Sequence, residues 1–207
     1  MLKPQWALVL CALAGASNAQ ATDARGMAAL YGMGGVPCKI ITQNPEFAND
    51  ASKNALREWF FGYLSARNVE SLGVFDLSPV QQPDGLFTLF YNRCKAMPDA
   101  LVQKAASTLI NAISVAQIPQ YSPMVEYRTE QGSVLIRAAI LARIQKALKK
   151  AGLFKGEADG KQSPALTNAI KAFQAKMKET PTGLPDKDII LLLVIEPAMD
   201  EAEKRSR

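Results

Sequence analysis

Histidine is absent from all 207 residues. Chemistry that needs an imidazole therefore has no basis here: Ser-His-Asp and Cys-His nucleophiles, most general-base catalysis, and the common zinc sites. The chain also lacks S-x-x-K and G-x-S-x-G, and no glycine-rich phosphate loop follows a strand-like pattern. Carboxylate-only glycan cleavage is the one route left open. Glu70 opens a stretch to Pro83 that carries Gly73, Asp76 and Pro79 and reads as a loop. A solvated loop carboxylate is the expectation there, and no catalytic residue is assigned.

The thiols lead to the compartment. The three cysteines are Cys11, Cys38 and Cys94. Cys11 lies in the apolar run Trp6–Ala14, which follows Lys3 and precedes the small-residue segment Gly15 to Ala21. A basic start, a short apolar core and an A-x-A-like end make a secretory signal peptide, residues 1–21. Cleavage after Ala19 and cleavage after Ala21 fit equally well. The run is too short to span a bilayer, and Leu10 before Cys11 argues against a lipid anchor. Cys38 and Cys94 then remain as an even pair in an exported chain, most simply a disulfide. A thiol metal site is the competing reading; the absence of His and of C-x-x-C spacing weighs against it. No cofactor is implied, and no later segment is apolar enough for a membrane span: Ile189 to Ile195 stops at Glu196-Pro197.

Charge divides the chain. Residues 1–132 hold ten basic and ten acidic side chains, residues 133–207 fourteen and nine, so the net charge of +5 lies entirely in the second part. Unequal halves imply different partners. Pro119, Pro123 and the polar run Glu126–Ser133 place a linker at 118–132. Both flanks read as helical. In the first, Leu56, Trp59, Phe60, Tyr63 and Leu64 recur at helical steps, and a second stripe runs from Leu101 through Ala105 and Leu109 to Ile113. In the second, Val134, Ala138, Leu141, Ile144 and Leu148 mark one helix face, Pro164–Lys178 another helix, and Pro185 to Val194 a last one. No internal repeat is visible. The expected fold class is all-α with two small helical domains.

The stretch Ile144–Leu193 carries the most information. It contains Gln145, Leu148, Gly152, Phe154, Gly156, Asp159-Gly160, Pro164, Ala169-Ile170-Lys171-Ala172-Phe173-Gln174, Thr182-Gly183 and Asp186. In order, type and spacing this resembles the peptidoglycan-binding domain found beside many cell-wall hydrolases, over about 134–195. The resemblance implies a three-helix module with peptidoglycan as partner. Ligand contacts are expected from Asp159, Gly160 and Gln174, and from the basic residues Arg143, Lys146, Lys155 and Lys161, whose charge suits an anionic polymer. Many of these positions also have structural readings: Gly160 permits a tight turn, Asp159 braces it, and Gln145 and Gln174 bond across helices. The sequence departs from the family at Gln162 and Ser163, where an aromatic and a Gly are usual, and at Leu166, where Thr is.

Cys38, Trp59-Phe60-Phe61-Gly62-Tyr63-Leu64, and Cys94 followed by Pro98 resemble the small HdeA-like periplasmic family over about 38–116. That implies short helices joined by one disulfide, and an envelope protein as a further partner. Glu70-Ser71 resembles the Glu-Ser pair of lysozyme-like lytic transglycosylases, but that family's downstream glycine- and glutamine-bearing motif is missing. The expected organisation is a signal peptide (1–21), an HdeA-like domain (22–117), a linker (118–132), a peptidoglycan-binding-like domain (133–197) and a charged tail (198–207). The expected function is a non-catalytic periplasmic protein that holds the first domain at the wall, with no nucleic acid bound. An acid-stress chaperone, or an interaction or inhibitor module without wall affinity, is the alternative.

Overall fold

A computed structural model describes residues 28–206; the expected signal peptide lies outside the described residues. Eight α-helical segments run in chain order: α1 (Cys38–Gln43), α2 (Asp50–Glu70), α3 (Pro83–Ala96), α4 (Val102–Ile113), α5 (Ala138–Lys150), α6 (Pro164–Lys176), α7 (Lys187–Ile190) and α8 (Glu196–Ser206). One antiparallel hairpin, β1 (Met124–Thr129) and β2 (Gly132–Arg137), separates α4 from α5. The fold is thus mostly helical, with a single two-stranded ribbon.

Apolar residues at helical spacing position the first four helices. Leu56, Phe60 and Leu64 of α2 and Leu86, Phe90 and Cys94 of α3 are buried, and the Phe60 and Phe90 rings stack 4.3 Å apart. Cys38 and Cys94 form the disulfide, with a Cα–Cα distance of 5.2 Å, tying α1 to α3. The chain around Cys38 is also paired by its backbone: Cys38 N donates to Ala100 O (2.8 Å) and Val102 N to Val36 O (2.9 Å). Glu70 is the last residue of α2 and exposed, so it belongs to a helix end and not to the loop.

The segment read as a linker, 118–132, is packed structure. Ile118 and Tyr127 are buried, and Ile118 exchanges backbone hydrogen bonds with Asp76. The hairpin register pairs Val125 with Ile136 and Tyr127 with Val134, so the period-two alternation of β-branched and aromatic residues faces the core. The helix face predicted from Val134 consequently begins later, at Ala138. The residues before it cap that helix: Ala138 N donates to Pro123 O (2.9 Å) and Ala139 N to Ser122 Oγ (2.9 Å), satisfying two donors a helix start leaves open. A spacer has no such contacts. From Tyr31 onward the molecule is one compact unit with a continuous apolar core.

The C-terminal part differs from expectation in a second respect. The last helix does not stop near Val194. A π-helical stretch, Leu191–Ile195, joins α7 to α8, and the segment read as a charged tail is helical to Ser206. Pro197 lacks an N–H and its ring crowds the carbonyl four residues back in an α-helix; the wider π turn just before it lets the helix continue. The start of α8 packs against the turn Ser114–Ala116 that ends α4. Among the described residues no helix is long and apolar enough to cross a membrane.

Candidate functional site

Two buried glutamines organise the C-terminal part. The Gln145 amide of α5 grips the turn Asp159-Gly160-Lys161: its Oε1 accepts from Gly160 N (2.8 Å), and its Nε2 donates to Asp159 Oδ1 (3.1 Å) and Lys161 O (2.9 Å). Asp159 Oδ1 in turn accepts from Lys161 N (3.0 Å). The Gln174 amide of α6 repeats the arrangement on Thr182-Gly183-Leu184. Its Oε1 accepts from Gly183 N (2.8 Å), its Nε2 donates to Thr182 Oγ1 (2.9 Å) and Leu184 O (3.5 Å), and Leu184 N donates to Thr182 Oγ1 (3.2 Å).

In both turns the glycine has φ of +72° and no room for a side chain. A Cβ on Gly160 would stand 2.5 Å from Ala138 O, and one on Gly183 2.8 Å from Thr167 Cγ2. Three residues after each glycine comes the next helix's N-cap: Ser163 Oγ accepts from Leu166 N (3.1 Å), and Asp186 Oδ1 from Asp188 N and Ile189 N. The unit is therefore a structural tandem of helix, glutamine clasp and capped helix. The sequence showed no repeat because the distance from Gln to Gly differs, 15 residues in the first copy and 9 in the second.

Most of the expected ligand residues also have partners within the fold. Gln174 and Gly160 are buried in the clasps. Asp159 is exposed, but its carboxylate is occupied by the turn; the hydrogen bond from Lys161 N, then that from Gln145, holds its pKa below the usual Asp value. Arg143 is half-buried and faces the N-terminal half, where its guanidinium donates to the carbonyls of Ala116 and Gln117, the latter at 2.9 Å. Burial lowers its pKa. Lys146, Lys155 and Lys161 are exposed and line neither cavity described next.

The larger cavity is an open groove of about 390 Å³ along α6. Pro164, Thr167, Asn168 and Lys171 form its floor, at the three- and four-residue steps that share one helix face. Thr129 and Glu130, from the hairpin turn, form its far wall. Gln162 holds that wall in place: its Oε1 accepts from Arg128 N (3.0 Å) and its Nε2 donates to Arg128 O. Tyr127 is fully buried behind the wall, its hydroxyl 2.8 Å from Thr167 Oγ1; burial pushes its phenol pKa up, with the Thr167 hydrogen bond offsetting part of the shift. At the departure positions, then, Gln162 is a clamp on a strand edge, Ser163 an N-cap, and Leu166 fully buried core. A second, smaller cavity of about 130 Å³ lies beside the Gln174 clasp, between Phe173 and Ile189.

Sequence reasoning missed Thr129, Glu130, Asn168 and Lys171. Lys171 stood inside the most informative motif, and helical spacing from Pro164 would have put it with Asn168. The hairpin residues were out of reach, because nothing local says which helix a ribbon will cover.

Residues 137–193 match the family model described as "Putative peptidoglycan binding domain". The matched stretch runs from the start of α5 through both clasped turns and α6 to the π segment, so the recognisable part of the chain is the clasped unit. No curated protein and no solved structure shows a significant match to the chain.

Proposed function

We propose that this is a non-catalytic periplasmic protein that binds peptidoglycan through residues 133–197 and holds an HdeA-like helical domain at the cell wall. The observation that carries the reading is the family match at 137–193, on a unit whose two clasps and core are intact. The N-terminal half supports its HdeA-like part with one disulfide and a core built around stacked phenylalanines. The absence of histidine supports a binding role, as does Glu70, which is exposed at the end of α2 and lines neither groove nor cavity. Because Arg143, Ser122 and α8 join the halves, the N-terminal part is presented at the wall in a fixed orientation.

The test is co-sedimentation of the intact protein with purified sacculi at low and high salt. Retention in the pellet, weakening as salt screens the basic half, is the expected result; protein left in the supernatant at low salt overturns the proposal. N-terminal sequencing of the protein from the periplasmic fraction should find Gln20 or Thr22 first. An intact Met1 there would remove the case for export.

A further inference from the structure

We infer that the groove between α6 and the hairpin turn is the wall-binding site, and that it takes the peptide stem of peptidoglycan instead of the glycan strand; this rests on the wall-binding reading above. The first support is charge. The groove is lined by one cation, Lys171 on α6, and one anion, Glu130 in the hairpin turn, and neither forms an ion pair or hydrogen bond among the described residues. A glycan strand with its stems attached offers mainly neutral hydroxyls and amides, because the lactyl carboxyl of each muramic acid is tied up in the amide to the stem. A stem peptide offers free carboxylates, an amine on its diamino acid, and backbone amides between them. Lys171 matches the carboxylate, Glu130 the amine, and Asn168 and Thr129 the amide groups.

The second support is how Lys171 is held. Its stem lies against Gly183, where an added Cβ would come within 3.1 Å of Lys171 Cγ and 3.2 Å of Cε. The same glycine is clasped by Gln174. A lysine laid along a backbone glycine keeps fewer rotamers than one standing free in solvent, so less entropy is lost when it meets a ligand. Lys171 is half-buried, whereas Lys146 and Lys155 are exposed on α5 and the following loop.

The third support is the hairpin wall. Thr129 and Glu130 lie outside the matched stretch 137–193. The chain brings them to the groove through Gln162, whose amide fixes the strand edge at Arg128 and the carboxylate that follows it. A wall held in place and carrying a free carboxylate suits a zwitterionic peptide.

The experiment uses the intact protein and three probes: whole sacculi, glycan strands freed of stem peptides by an amidase, and a soluble disaccharide–peptide as competitor. Binding to whole sacculi should be strong, should fall about tenfold or more on peptide-free strands, and should be displaced by the soluble disaccharide–peptide. Lys171→Gln should weaken retention on sacculi about tenfold, the scale of one charge-assisted contact, and Lys171→Arg should restore most of it. Glu130→Gln should weaken it roughly threefold to tenfold, and Lys146→Gln should leave it within about twofold. Unfolding midpoints of all four variants should match the parent, since the substituted groups have no partners to lose. Full-strength binding to peptide-free strands, or insensitivity to Lys171→Gln and Glu130→Gln, overturns the groove assignment while wall binding stands. No binding to whole sacculi overturns both.

Discussion

The two halves of this molecule solve one problem by different means. Each has too few residues for a large core of its own. The N-terminal half is stapled covalently, Cys38 to Cys94 across 56 residues. The C-terminal half uses the amides of Gln145 and Gln174, each closing three hydrogen bonds on a glycine turn. A disulfide acts mainly on the unfolded chain, by removing conformations from it, and tolerates changes in the backbone it spans. A buried amide acts only in the native state and fails if one turn shifts. Reductant should therefore act through the first half, which tolerates substitution, whereas the cost of a change at a small residue of the second half should be large and independent of reductant.

Breaking the staple gives the largest effect. Replacing both Cys38 and Cys94 by Ser should cost about 4 kcal/mol, read as a lower midpoint in urea. Because one core joins the halves, fluorescence of Trp59 and far-UV helicity should lose amplitude together. Two separated transitions would show that the halves unfold independently. Next comes Gly160→Ala in the other half, which meets both a left-handed backbone and the Ala138 carbonyl. A cost of about 3 kcal/mol is expected, and it should be the same with or without reductant. An equal loss from Gly62→Ala, where nothing lies within 4 Å of the added Cβ, would break the comparison.

Arg143→Met tests the seam between the halves. It removes both hydrogen bonds to the Ala116 and Gln117 carbonyls, just past α4, and should cost about 2 kcal/mol, while binding to sacculi by the folded protein stays unchanged. The smallest effect is expected at acidic pH. The Lys161 N–H and Gln145 amide hold the Asp159 carboxyl below its ordinary value. Its contribution is therefore complete above an Asp's usual pKa, about 3.9, and is lost as pH falls through the lower folded value. Asp159→Asn should flatten the pH dependence of the unfolding midpoint in that window and leave neutral-pH redox behaviour alone. An unchanged slope would remove Asp159 from the clasp's energetics.

Much of the fold was legible from local pattern. The α2 and α4 stripes, the Cys38–Cys94 pair, the helix starting at Pro164, a last helix expected from Pro185 and found from Lys187, and the turn at Gly160 follow from spacing, cysteine parity and the conformations glycine allows. The hairpin was not legible as such. Its alternating Val125, Tyr127, Val134 and Ile136 were divided between a linker and a helix face, because two prolines precede the ribbon and a true helix follows at once. A two-stranded ribbon is marginal in isolation. This one is held by Gln162 on its edge and by Tyr127 buried against Thr167, residues about 34 and 40 positions away.

By itself the sequence determined the resemblance of the clasped unit to the peptidoglycan-binding family model, the charge of its surroundings and the lack of imidazole chemistry, since these depend on residue identity and local spacing. Tertiary structure alone decided which charges are free to act. Arg143 resembles its lysine neighbours in sequence, yet packing turned it into a strut against α4, and the basic residue left in the groove is Lys171. That outcome depends on which surfaces the hairpin and α8 cover, a matter of long-range burial that no window of the chain contains.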